Sequence, residues 1–138
     1  MGRPLLLAAI VTVAALAGCK SPGPAMDLPV YPGSAQASGI PSQESPEGTL
    51  YRVRRRTPDG VQTVSAFYRK ELVEGRGWSE TASMGPAFTD GNLPVERPGQ
   101  VNAAGAPVDR SRPGGFVVVY EVDNATYVEL WQWVPAAR

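Results

Sequence analysis

The chain has 138 residues, with 13 basic and 13 acidic side chains, a formal net charge of zero and 43% hydrophobic residues. That balance supplies no strong field toward nucleic acid, so no nucleic-acid partner is expected. The lack of histidine removes histidine-based acid/base pairs and triads, and a single cysteine leaves neither an intramolecular disulfide nor a Cys/His zinc site.

At the N-terminus, Arg3 precedes an uncharged apolar run from Leu5 to Ala17, and small residues lead into Cys19. A membrane-spanning helix needs about 20 apolar residues, and Lys20 ends this run well short of that, so a cleaved secretory signal is expected. Leu16-Ala17-Gly18-Cys19 resembles the lipobox of bacterial lipoproteins. The resemblance implies a signal peptide over residues 1–18, a diacylglyceryl group on the Cys19 sulfur, and a mature chain that begins there. Two or three acyl chains hold a protein to a bilayer for practical purposes permanently. Lys20 stands where enterobacterial lipoproteins kept at the inner membrane carry aspartate, which favours the periplasmic face of the outer membrane in a Gram-negative cell. The mature chain keeps twelve basic against thirteen acidic side chains, a formal charge of −1.

Residues 19–27 read as the lipidated cysteine and a flexible Pro/Gly/Ser tether, followed by a single domain over residues 28–138. Leu28-Pro29-Val30-Tyr31-Pro32-Gly33 is extended and turned by its prolines, with Val30 or Tyr31 expected to plug the core edge. Ser34 to Gly48 is polar and breaker-rich and reads as a loop. Thr49 to Thr57 alternates as a strand, with Tyr51, Val53 and Arg55 on one face and Leu50, Arg52, Arg54 and Arg56 on the other. After Thr57-Pro58-Asp59-Gly60, where Thr57 or Asp59 is a candidate helix cap, Val61, Val64, Phe67 or Tyr68, and Leu72 recur at helical spacing up to Gly75-Arg76-Gly77. Ser79 to Gly115 holds six glycines and five prolines and reads as a long mobile loop, with short strands placed only near Trp78 to Ala82 and at Phe88. Phe116 to Val122 and Tyr127 to Val134, joined by a turn at Asp123-Asn124-Ala125-Thr126, form a β-hairpin. Asn124-Ala125-Thr126 matches a glycosylation sequon but in this setting is turn chemistry. The expected fold class is α+β: one helix packed on a small antiparallel sheet, βαββ-like, ending in a C-terminal hairpin.

Pro29-Val30-Tyr31-Pro32-Gly33, with Phe67-Tyr68, Leu72 and Gly77-Trp78 downstream, is similar to small bacterial envelope lipoproteins and secreted domains of unassigned function that share a P-x-YPG opening and an FY…L…GW helix. That likeness implies a compact βαββ-type domain and transfers no catalytic residue.

No phosphate-cradling glycine loop or calcium-loop spacing is present, and no cofactor or metal is expected. A carboxylate pair, Glu121 with Glu129 across the hairpin, is the one arrangement that would serve a hydrolase. Two features suggest binding. Arg52, Arg54 and Arg56 form a basic ladder suited to phosphates or carboxylates, with cross-strand pairing to Glu121, Asp123 or Glu129 as the plain alternative. Tyr127, Glu129, Trp131 and Trp133 share one face of the last strand while Val128, Leu130 and Val134 share the other, so the helix can cover only one of two apolar faces. The expectation is a non-enzymatic, membrane-anchored protein that binds another envelope component through Tyr127, Trp131 and Trp133 or the arginine ladder. The alternatives are a small-ligand or cell-wall-glycan module and, third, a carboxylate hydrolase. If Trp131 instead belongs to the core, the segment Ser79 to Gly115 shields the remainder of that face.

Overall fold

In the computed structural model, residues 27–94 and 108–137 are described. Seven strands form one antiparallel sheet: β1 (Ala35–Gly39), β2 (Gln43–Ser45), β3 (Gly48–Thr57), β4 (Ser79–Ala82), β5 (Pro86–Thr89), β6 (Gly114–Val122) and β7 (Ala125–Pro135). Their order is β1-β3-β7-β6-β5-β4, with β2 sharing the outer edge of β3. One helix, α1 (Val61–Tyr68), continues as a π-helical stretch, Arg69–Glu74.

The α+β, βαββ-like expectation is corrected by this sheet. Strands account for 47% of the described residues and helix for 16%, so the fold is sheet-dominated, with a single short helix. The extra strands are those with no alternating pattern. All residues of β1, β2 and β4 are exposed, so backbone pairing alone, and no buried side-chain row, makes them strands. For that reason Ser34 to Gly48, read as loop, holds β1 and β2. The segment Ser79 to Gly115 likewise holds β4, β5 and the start of β6, and the two short strands expected there are β4 and β5. Its residues 95–107 lie outside the described residues, as do the expected signal peptide over residues 1–18, the expected lipidation at Cys19 and the expected tether up to residue 26.

The helix leaves β3 at one side of the sheet and delivers the chain to β4 at the far edge, crossing one face. Beneath it, Val53, Leu130, Val117 and Phe88 stand in register across β3, β7, β6 and β5. Val64, Tyr68 and Leu72 lie on this row, fully buried. Removing that apolar area from water is the main stabilising term. Gly77 adopts the left-handed conformation (φ 73°), and Trp78 N–H donates to Leu72 O at 2.9 Å, closing the helix end.

At the other end the cap differs from expectation. The N-cap is Gly60, with no side-chain cap. The Thr57 hydroxyl accepts from Asp59 N–H at 3.2 Å, and the Asp59 carboxylate accepts the Tyr31 hydroxyl at 2.5 Å. Tyr31, rather than the exposed Val30, is the core plug, and Leu28 is buried beside it. Tyr31 N–H donates to the Tyr68 hydroxyl at 3.1 Å, which fixes the P-x-YPG segment on the helix.

Candidate functional site

The face away from the helix collects the candidate residues. Alternation along β3 and β7 puts Leu50, Arg52, Arg54 and Arg56 opposite Trp133, Trp131, Glu129 and Tyr127 respectively. On β6, Gly114, Phe116, Val118 and Tyr120 continue the same rows. Both sequence-level candidates, the arginine ladder and the aromatic strand face, are therefore one surface.

Its centre is a charge cluster on aromatic ground. Glu129 is 4% exposed and lies 3.4 Å from Arg54 and 3.7 Å from Arg52. Glu129, of the three acids weighed, is thus the partner of the ladder. The Arg52 guanidinium sits 3.9 Å from the centroid of the Trp131 ring, a cation–π contact, and Arg56 stands 6.0 Å from that of Tyr127. Tyr120 and Tyr127 stack at 5.8 Å. Burial raises the Tyr120 pKa, and the nearby Glu129 charge adds to it. Three N–H donors in this cluster, Arg52 Nε, Arg54 Nε and Trp131 Nε1, are buried without an acceptor. Arg55, on the opposite face, is consumed by Ser34, donating to its hydroxyl at 2.8 Å and its carbonyl at 2.6 Å.

The aromatic residues divide in accessibility. Trp133 is 3% exposed, packs against Leu50 and Gly48, and donates from Nε1 to Arg110 O at 2.9 Å. The chain before β6 covers it. Asn92 clasps that chain, donating to the carbonyls of Asp109, Arg112 and Pro113 and accepting from Asp109 N–H. A side chain at Gly114 would collide with the Asn92 backbone, so the close approach needs glycine there. Trp131, Tyr127, Phe116 and Tyr120 are half-buried, and Arg56 is exposed. Glu121 and Glu129 do not meet: Glu121 pairs opposite Thr126 on the helix side, and Glu129 lies on the other.

Phe116, Tyr120, Asn92 and Arg110 escaped the sequence reading. The alternation of Phe116, Val118 and Tyr120 against Val117 and Val119 carried a usable signal for the first two. The Asn92 clasp had none, since its partners are backbone carbonyls 17 to 21 residues away. Among the described residues, no group of three or more acidic, histidine or cysteine side chains is placed to hold a metal ion, and no helix is long and apolar enough to cross a membrane. No family model, curated protein or solved structure matches the chain.

Proposed function

We propose that this is a lipid-anchored bacterial envelope protein whose non-catalytic domain binds another envelope component through the helix-free sheet face. The anchor reading is supported by Arg3, the short apolar run and the Leu16-Ala17-Gly18-Cys19 lipobox; the Lys20 position favours the periplasmic face of the outer membrane in a Gram-negative cell. The binding reading is carried by one observation: β7 is apolar or aromatic on both sides, yet the helix fills only one. The other presents Arg52 on Trp131 beside buried donors that have no acceptor. Interfaces draw their energy from such Trp, Tyr and Arg clusters.

A glycan module ranks second. Sugars stack on open indole faces, and here Arg52 already occupies the Trp131 ring. Photo-crosslinkers at positions 131 and 54 of the lipidated protein in the native envelope test the proposal, with exposed Lys70 on the helix as control. Adducts enriched at 131 and 54 are expected. Equal, diffuse labelling at all three positions would overturn the binding face, and glycan adducts alone would transfer the assignment to the second reading.

A further inference from the structure

We infer that the component bound by this face is the phosphate layer of anionic lipid headgroups in the bilayer that carries the anchor. This rests on the lipoprotein reading above and names the partner of the same surface. The charge balance comes first. Arg52, Arg54 and Arg56 project from one strand face at two-residue spacing, and Glu129 is the carboxylate that answers them. Among the described residues, Arg56 meets no carboxylate within ion-pair distance, whereas Arg110 at the Trp133 end is matched by Glu47 at 3.3 Å. The cluster thus carries surplus positive charge, and its unsatisfied groups, Arg52 Nε, Arg54 Nε and Trp131 Nε1, are all donors. Those nitrogens are closed to solvent, so an oxyanion meets the cluster at the guanidinium ends, where the Arg52 and Arg54 side chains are 25% and 38% exposed and Arg56 is exposed; guanidinium groups bind phosphate by paired hydrogen bonds.

The surroundings select a membrane as the source of that phosphate. Half-buried Trp131, Tyr127 and Tyr120 interleave with the arginines. Trp and Tyr settle at the headgroup level of a bilayer, and each arginine near an anionic surface adds to the attraction. A tether holds this end of the sheet near the bilayer. Asp27 N–H donates to Gln132 Oε1 at 3.0 Å, so the chain leaves the domain at the Trp131 to Trp133 end of β7, from the helix side of the strand. The eight Cα–Cα steps from Cys19 to Asp27 span at most about 28 Å fully extended, which holds this end of the sheet within reach of the headgroups. Docking then adds a second attachment beside the lipid.

The test uses the full lipidated protein in vesicles of phosphatidylcholine, with or without phosphatidylglycerol. Quenching of tryptophan emission by a headgroup-level spin label is read, and Trp131→Phe isolates the contribution of Trp131. Mass spectrometry of Cys19 establishes the anchor separately. Quenching of Trp131 should rise with phosphatidylglycerol and fall back at high salt. Arg56→Gln, at an exposed site with no ion pair, should lower the docked-to-free ratio about fivefold, as expected for one arginine at an anionic surface. Equal quenching in both vesicle types overturns the inference. So does a Trp131 response to inorganic phosphate in phosphatidylcholine vesicles that anionic lipid does not reproduce, which makes the source soluble. Adducts from position 131 confined to one protein in the envelope would sink the lipid assignment and leave the binding face standing.

Discussion

Glu129 holds together the surface on which the functional reading depends. Its carboxylate is buried between Arg52 and Arg54, so Glu129→Gln leaves two arginines side by side with no counter-charge. The expected loss is about 2 kcal/mol of unfolding free energy, read from denaturant titration. A loss below about 0.5 kcal/mol would mean that the pairs, at 3.4 and 3.7 Å, are screened by water. On the opposite face, Tyr68 accepts the backbone N–H of Tyr31, and burial pushes its phenol up to about 12 from 10.0. The unfolded chain therefore gives up this proton first. Stability is fully present below pH 10.0 and falls as pH rises toward about 12, with the raised phenols of Tyr120 and Tyr31 adding in the same direction. Tyr68→Phe should cost about 1 to 2 kcal/mol at neutral pH, because it orphans a buried N–H, and should flatten the alkaline slope. An unchanged slope would place the alkaline transition on other groups.

The elements that were legible in the sequence were those with a one-sided burial pattern. Val64, Tyr68 and Leu72 announce the helix, Val53 among arginines announces β3, and Val117, Val119, Val128 and Leu130 announce the terminal hairpin. The turn of that hairpin was also readable, since Asp123 (φ 51°) and Asn124 (φ 62°) are the non-glycine types that tolerate the left-handed region of a two-residue turn. Asn124→Gly removes the remaining strain and should stabilise by up to about 1 kcal/mol, measured as a raised denaturation midpoint. What stayed hidden was the edge of the sheet. Ala35-Gln36-Ala37-Ser38-Gly39 and Gln43-Glu44-Ser45 bury nothing, so their strand character comes from pairing with β3 and from no side-chain pattern of their own. The π-helical stretch was equally silent, because Leu72 keeps the apolar spacing of an ordinary helix. Leu72→Ala should cost about 2 to 5 kcal/mol, since it empties a fully buried site where this stretch meets the sheet.

In the whole molecule, the same sheet serves two tasks on its two faces. One side is closed by α1, Tyr31 and Leu28 and makes the core; the other gathers the charged and aromatic residues. The sequence showed that the last strand is apolar on both faces, but not which one the helix covers. That choice depends on where the chain crosses between β3 and β4, a long-range property. Nor could it separate Trp131 from Trp133, whose difference in burial is set by Asn92 and the chain around Arg110. The binding claim is tested most directly by hydroxyl-radical footprinting of the protein expressed from the full chain, purified in detergent and in the envelope of its host cell. Modification of Trp131, Tyr127 and Tyr120 should fall in the envelope while exposed Met84, at the far edge of the sheet, keeps its rate. Equal modification of the three aromatics in both settings would contradict the assignment of this face as the working surface.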